Sequence, residues 1–166
     1  MKWFGMGAIA AAVALSLSAC GGSSSNSATT AELQKDANIL AINQIEESWH
    51  RAASTHNVGL MMSLWAPDAT FNIGTRTLSG KAQIRNFFEH TAAPFQPQNH
   101  WVSDTPSYRI RITVNGDKGT LYFECHYVDV DTGKVMIAVG ADQDVRKIDG
   151  RWLITKLISS SVTLKP

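Results

Sequence analysis

The chain has 166 residues, 44% hydrophobic and 17% charged, which fits one domain with a short extra segment and excludes a disordered chain. Fifteen Lys and Arg against fourteen Asp and Glu give a formal net charge of +1, which argues against a nucleic-acid-binding protein because such proteins need clustered cations. With two cysteines, a framework of several disulfides is also excluded.

The first nineteen residues have the composition of an export signal. Lys2 supplies a positive charge, residues 8–17 are apolar or small, and two small residues precede Cys20. The apolar run is too short for a spanning helix, which needs roughly 20 residues. This order of charged, apolar and small residues is typical of a signal peptide, which we predict over residues 1–19.

Residues 17–20, Leu-Ser-Ala-Cys, resemble the bacterial lipobox, in which the cysteine after the cleavage point receives a lipid. The resemblance implies that lipid on Cys20 anchors the protein to a membrane of the bacterial cell envelope. Gly21 at the next position implies the outer membrane, facing the periplasm, in a Gram-negative host. We interpret residues 20–30, rich in Gly and Ser, as a flexible tether. A plain secretory signal cut near Ala19 is the alternative.

Residues 31–166 are predicted to form one domain that begins with three helices. Apolar residues at three- and four-residue steps predict the helices, and capping residues and prolines mark their ends. The predicted elements are a helix from the capping box Thr29–Glu32 to about Ser54, a helix from Asn57 to Trp65 stopped by Pro67, a hairpin around Gly74, and a helix from Ser79 that ends before Pro94.

Beyond Pro97 the apolar period changes to two, which predicts strands, and turns rich in Asn, Asp and Gly separate them. Helices followed by strands favour an α+β domain with a meandering antiparallel sheet. A sheet curved around the long helix would leave an apolar hollow, the usual place for a small-molecule site. The predicted strands cover about residues 100–102, 108–114, 120–130, 134–148 and 151–162.

Four stretches stand in a recognisable order: 64–71 (LWAPDATF), 79–88 (SGKAQIRNFF), 99–102 (NHWV) and 139–154. Over about residues 38–160 the chain resembles the SnoaL-like branch of the NTF2-like superfamily. The resemblance implies the cone fold, also called cystatin-like, with three N-terminal helices packed on a curved antiparallel sheet. It implies less about activity, because this fold serves dehydratases, isomerases, cyclases, hydrolases and binding proteins.

The resemblance implies that His100 is a general base or acid at the rim of the pocket, and imidazole titrates near neutral pH. Asp144 and Asp68 match aspartates of the family and are the candidate orienting carboxylates. The family's dehydratases carry Tyr and Asp on the first helix, where this chain has Trp49 and Ser54; this departure disfavours their mechanism. A loop contact for His100 and a turn or cap role for Asp68 are the structural alternatives.

Trp49, Phe87 and Phe88 are the expected apolar wall of the ligand pocket. Asp142 and Asp144 are two residues apart on one strand and therefore share a face. If that face is concave, Asp142 is also a pocket residue; an exposed or salt-bridged strand is the alternative.

The hairpin that turns at residues 132–133 is predicted to pair Phe123 with Asp142 and His126 with Val139. In this register His126 and the two aspartates lie on opposite faces of the sheet. One group or the other is then outside the pocket.

No metal ion or organic cofactor is expected. The histidines show no metal-binding spacing, and no cysteine pair is present for zinc. Glu46 and His50, four residues apart on the first helix, are interpreted as a surface pair. Cys125 and His126 are adjacent on a strand and point to opposite faces, so they do not form a catalytic dyad.

Two functions follow. The favoured one is a lipid-anchored envelope protein whose pocket binds a small, largely apolar molecule, with a homodimer as a further expectation. The alternative is a cofactor-independent dehydratase or isomerase that uses His100 as proton shuttle. The enzyme requires His100 in an enclosed hollow, within hydrogen-bond reach of a carboxylate, and a solvent-facing His100 would remove that role.

Overall fold

The structure is a computed structural model that describes residues 23–103 and 107–162, with side chains from Thr29 onward. The predicted signal peptide and Cys20 lie outside the described residues. The elements are α1 (Ser23–Ser54), α2 (Val58–Ser63), β1 (Trp65–Ile73), β2 (Arg76–Ser79), α3 (Gly80–His90), a 3-10 turn (Ala93–Phe95), β3 (Trp101–Ser103), β4 (Ile110–Asn115), β5 (Lys118–Asp129), β6 (Val135–Ile148) and β7 (Arg151–Ser161).

Helix α1 is longer than the sequence pattern predicts. It begins at Ser23, so residues 23–30 of the predicted tether are helical. The capping box at Thr29–Glu32 does not mark the start, because a cap is a local preference that a helix already formed upstream does not need. Among the helices of residues 23–103 and 107–162, none combines the length and apolar character needed to cross a membrane.

Helix α2 is capped as predicted, since the side chain of Asn57 accepts a hydrogen bond from the backbone N–H of Leu60 at 2.8 Å. The helix ends at Ser63, earlier than predicted, and Trp65 and Pro67 belong to β1. Their place in a strand follows from tertiary pairing, which a helical period cannot show.

The strands form one sheet in the order β2-β1-β7-β6-β5-β3, and β4 pairs with the other end of β5. Strands β1 and β7 run parallel, whereas the other pairs are antiparallel. The parallel pair departs from the wholly antiparallel sheet predicted. It is possible because a long stretch of chain separates the two strands, as parallel pairing requires.

The helices cover one face of the sheet, and register shifts within three of its strand pairs accompany its curvature. This is the predicted α+β architecture, with a helical N-terminal region packed on a curved sheet. The largest fully buried apolar side chains lie between the two layers: Trp65, Phe123, Ile42, Met61, Met62, Ile84, Leu121, Ile154 and Leu157.

The register between β5 and β6 differs by one residue from the prediction. His126 pairs with Ala138 rather than with Val139, and the pairing is irregular beside the turn that follows β5. A slip of one residue exchanges the two faces of a strand. His126 therefore lies on the same face as Asp142 and Asp144, and this is the outer face, away from the helices.

Candidate functional site

An apolar cavity of about 330 Å³ opens between the helices and the concave face of the sheet. We call it the apolar cavity; its size is within the range of ligand pockets, roughly 300–1,000 Å³. Its wall includes Trp49, Phe87 and Phe88, the three apolar residues predicted for a pocket. The other lining residues are Phe71, Ile73, Thr91, Ala92, Ala93, Pro94, Phe95, Tyr127, Ile137, Val139 and Ser159.

The local sequence explains how α3 brings its aromatic side chains to this wall. Gly80 adopts φ +77° at the junction of β2 and α3, a conformation that favours glycine. The helix is amphipathic and buries Ile84, Phe87 and Phe88. The ring of Phe88 lies edge-on to Trp49 and to Phe95, with centroids 5.9 and 5.0 Å apart, which is a favourable geometry for aromatic pairs.

Polar atoms are sparse in the apolar cavity. Trp49 Nε1 donates a hydrogen bond to the hydroxyl of Tyr127 at 3.3 Å, and Thr91 and Ser159 carry the other hydroxyls of the lining. Burial raises the pKa of Tyr127 well above its ordinary value, so the phenol stays protonated. The described lining contains no carboxylate, imidazole, ammonium or guanidinium group.

His100 lies outside the apolar cavity, and the prediction that it is a proton shuttle in an enclosed hollow is therefore wrong. Its side chain is 62% exposed, and its Nδ1 lies 2.8 Å from Oδ2 of Asp131, which is 67% exposed. The hydrogen bond with Asp131 raises the pKa of His100. Strand β3 begins one residue later, at Trp101, so His100 belongs to the preceding loop and contacts the turn after β5.

The predicted aspartates also lie away from the apolar cavity. Asp142 and Asp144 are exposed on the outer face of the sheet, so Asp142 is not a pocket residue and Asp144 does not meet His100. Asp68 is 73% exposed, and its Oδ2 lies 3.8 Å from Nη2 of Arg146. An exposed ion pair of this length contributes little to stability, and the structure does not bring these carboxylates together with His100.

A buried pair on α1 is a site that the sequence analysis missed. Glu46 and His50 are only 3% and 1% exposed, and His50 Nε2 lies 2.9 Å from Glu46 Oε1. The interpretation as a surface pair is wrong because β3 and the residues before β4 pack over this side of α1. The signal was available: both residues continue the three- and four-residue steps of Ile42 and Trp49, which predict the buried stripe.

Two serines complete what we call the polar cluster, formed by Glu46, His50, Ser103 and Ser107. His50 Nδ1 lies 2.5 Å from Ser103 Oγ, and His50 Nε2 lies 2.6 Å from Ser107 Oγ. The hydroxyl of Ser107 donates to Glu46 Oε1 at 2.5 Å, and its backbone N–H donates to the same oxygen at 3.3 Å. The cluster thus ties α1 to two segments that lie more than 50 residues further along the chain.

The carboxylate of the polar cluster is held in its charged form. Burial acts to raise the pKa of Glu46, but hydrogen bonds from His50 and Ser107 lower it below its ordinary value. Because the hydroxyl of Ser107 donates to the ionised Glu46, Nε2 of His50 is a donor, and its N–H faces Ser107 Oγ at 2.6 Å and Glu46 Oε1 at 2.9 Å. In the neutral ring, Nδ1 is then an acceptor, and the hydroxyl of Ser103 donates to it.

Glu46, His50 and Ser103 of the polar cluster line a cleft of about 470 Å³ that is open to solvent, which we call the polar cleft. Ser54, which stands where the family's dehydratases carry Asp, accepts a hydrogen bond from the backbone N–H of Ser103 at 2.8 Å. This bond fixes β3 against α1. The lining residues of the polar cleft are Asn43, Glu46, Glu47, His50, Arg51, Ser54, Ser103 and Ile110.

Within residues 23–103 and 107–162, no group of three or more His, Cys, Asp or Glu side chains is placed to hold a metal ion.

A family model described as a SnoaL-like domain matches residues 36–158 of the chain. No curated protein matches it.

Solved structures with the same architecture come from several bacteria. A protein of unknown function with a cystatin-like fold from Nostoc punctiforme PCC 73102 is 17% identical, with a TM-score of 0.64 over 76% of this chain and 92% of that chain. A proposed dehydratase of the NTF2-like family from Streptomyces avermitilis is 14% identical, with a TM-score of 0.62 over 78% of this chain and 99% of that chain.

A hexachlorocyclohexane dehydrochlorinase, LinA-type3 from Novosphingobium barchaimii LL02, is 19% identical, with a TM-score of 0.65 over 81% of this chain and 93% of that chain. At these identities the likeness shows the fold alone. The cone fold expected from the sequence is therefore confirmed. The reactions named for these proteins are properties of those proteins.

Proposed function

Since the chain belongs to the SnoaL-like domain family and has its cone fold, we propose that it binds a small, largely apolar molecule in the apolar cavity. The observation that carries the proposal is the make-up of the lining, in which aromatic and aliphatic side chains enclose the space and the polar side-chain groups described are three hydroxyls and the indole N–H of Trp49. Such a surface favours apolar ligands, because moving apolar area from water into the cavity contributes about 25 cal/mol of binding free energy per Å² buried.

The size of the apolar cavity narrows the ligand class. Its volume of about 330 Å³ is roughly twice that of a 150 Å³ apolar cavity known to hold benzene. A molecule of about two rings, or a branched chain of similar bulk, is the expected occupant. The hydroxyls of Tyr127, Thr91 and Ser159 line the same cavity and could hydrogen-bond to one polar group of the ligand.

Binding is favoured over elimination or isomerisation in the apolar cavity. Those reactions need a group that takes a proton from carbon, and the described lining offers no carboxylate or imidazole. His100, the base expected from the family resemblance, points to solvent. We therefore do not assign to this cavity the dehydratase or dehydrochlorinase reactions after which two structural neighbours are named.

The test is binding of N-phenyl-1-naphthylamine, an uncharged apolar fluorophore, to the purified protein. Ser159 lines the apolar cavity, whereas its neighbour Ser160 is exposed on the outer face. Ser159→Trp should fill the cavity and abolish the fluorescence increase, and Ser160→Trp, the matched control, should keep it. Equal binding by both variants would place the fluorophore elsewhere and refute the proposal.

We further propose that lipid on Cys20 holds this binding domain on the bacterial envelope, on the support of the lipobox-like residues 17–20. Cys20→Ser should move the protein from the membrane fraction to the soluble envelope fraction and prevent incorporation of labelled palmitate. Cys125→Ala is the control, because Cys125 is buried and its loss should leave the anchor in place. Membrane association of the Cys20→Ser protein would contradict the anchor. The homodimer stays a prediction, which size-exclusion chromatography would check.

A further inference from the structure

The polar cluster contains a hydroxyl, an imidazole and a carboxylate in one row, and the hydroxyl of Ser107 bridges the imidazole and the carboxylate. Ser103 Oγ lies 2.5 Å from His50 Nδ1, and His50 Nε2 lies 2.9 Å from Glu46 Oε1. Because Nε2 faces the ionised Glu46 and Ser107, that nitrogen is the donor, and Nδ1 is left to accept a hydrogen bond from the hydroxyl of Ser103. A base that is hydrogen-bonded to a hydroxyl and oriented by a third group is the arrangement that activates a serine nucleophile.

Stability alone does not account for this row. Replacing a buried ion pair with apolar side chains is often neutral or stabilising, and the remainder of the buried stripe on α1 is mainly apolar. The cluster also lies beside an opening, since Glu46, His50 and Ser103 all line the polar cleft. Cys125 offers a contrast: it is completely buried, and burial raises the pKa of its thiol, so it is not a nucleophile.

We propose that the polar cleft is a hydrolytic site for small carboxylic esters, with Ser103 as nucleophile, His50 as general base and Glu46 as the residue that positions His50. This inference is independent of the ligand proposed for the apolar cavity. The polar cleft carries one guanidinium group among its described lining residues, that of Arg51. Its positive charge favours the negative charge that develops on an ester carbonyl oxygen.

The reaction follows from the positions of these groups. Ser103 Oγ bonds to the carbonyl carbon of the ester, and its proton passes to His50 Nδ1. The bond between that carbon and the alcohol oxygen breaks, and the alcohol leaves with the proton from Nδ1. Water then gives a proton to Nδ1 while its oxygen bonds to the acyl carbon. The bond between that carbon and Ser103 Oγ breaks, the proton on Nδ1 returns to Oγ, and the acid leaves. Glu46 stabilises the imidazolium formed in each step, both across its 2.9 Å contact with Nε2 and through the hydroxyl of Ser107.

A fluorophosphonate tests the nucleophile in the full-length protein, because the serine oxygen displaces fluoride and keeps the phosphonyl group. Intact mass should show one phosphonyl group per chain, and peptide mapping should place it on Ser103. Ser103→Ala should not be labelled, and His50→Gln should react at least about 100-fold more slowly, the usual minimum contribution of a general base. Ser160→Ala, which removes an exposed serine of the outer face, should be labelled like the unmodified protein.

The unmodified protein and Ser160→Ala should hydrolyse p-nitrophenyl acetate at equal rates. His50→Gln should be slower, and Ser103→Ala should be inactive. No labelling of the folded wild-type protein, or labelling on Ser107 or any residue other than Ser103, would overturn the proposal. The wild-type map decides the question even if a variant fails to fold. Binding of N-phenyl-1-naphthylamine by Ser103→Ala should be normal, so that failure of this proposal and failure of the ligand proposal remain distinguishable.

Discussion

Trp49 and His50 are consecutive on α1, and they line two sites of opposite chemistry. Trp49 contributes to the apolar cavity, where rings and methyl groups surround the space. His50 contributes to the polar cleft, where carboxylates, hydroxyls and a guanidinium group face the opening. Successive residues of a helix are about 100° apart, so one helix with a wide buried stripe can serve both a binding surface and a reactive one.

The difference between the two regions lies in what covers α1 on each side. Phe88 packs against Trp49, and Phe95 packs against Phe88, whereas Ser103 and Ser107 bring hydroxyls to His50. A buried polar residue is tolerated where partners of complementary chemistry meet it. The two regions should therefore respond differently to truncation, to pH and to the loss of one partner.

The apolar region should show the largest effect on stability. Phe88→Ala removes a buried ring that contacts Trp49, Trp65, Phe71 and other rings, and we expect the free energy of unfolding to fall by about 4 kcal/mol. Urea denaturation measures the loss. Leu40→Ala, on an exposed part of α1, is the control and should change little; equal losses for both would contradict the assigned core.

Substitution in the polar cluster should give the next largest loss of free energy of unfolding. A second substitution in the same cluster should reduce that loss. His50→Leu leaves the buried carboxylate of Glu46 without the imidazole that faces it, and we expect a loss of about 3 kcal/mol. Adding Glu46→Leu removes the unpaired charge and should recover part of that loss. Urea unfolding of both single variants and the double variant gives the coupling, and additive losses would show that the two side chains do not interact.

Acid should destabilise the polar cluster specifically. The folded-state pKa of Glu46 lies below the ordinary value of 4.5, so its ionisation contributes stability above that pH, which is lost as pH falls through the folded-state pKa. The free energy of unfolding should thus fall more steeply below pH 4.5 in the unmodified protein than in Glu46→Gln. Chemical denaturation at several pH values checks the slopes, and parallel profiles would contradict the shift.

The smallest effect is expected at His100. His100→Ala removes an exposed contact with Asp131 that touches neither the apolar cavity nor the polar cleft. Binding of N-phenyl-1-naphthylamine and hydrolysis of p-nitrophenyl acetate should both be unchanged, as measured beside the unmodified protein. A loss of either activity would restore the role that the family resemblance implied for this histidine.

Much of the fold could be predicted because its signals are local. The turn residues around Gly74 and Gly150 and the amphipathic pattern of α3 depend on a few neighbouring positions, and the structure has these elements. The aromatic wall was accessible for the same reason, since Phe87 and Phe88 follow from the buried face of one helix.

The chemistry could not be predicted equally well because it depends on single-residue placement and distant partners. His100 lies one residue before β3, and an irregularity beside a turn decides the face of Asp142. Glu46 and His50 are buried by serines more than 50 residues away. Periodicity reports which side of a helix is covered, but not by what.

The parallel contact between β1 and β7 sets an order on how the molecule is completed. In the described sheet order, β1 reaches the remaining strands solely through the C-terminal strand. The hairpin of β1 and β2, on which α3 packs, therefore joins the sheet only after β7 has been synthesised and has paired with β6. A protein truncated before Arg151 would lack β7, the strand with which β1 pairs. The aromatic side chains of the β1–β2 hairpin and α3 would then stay exposed, which favours aggregation.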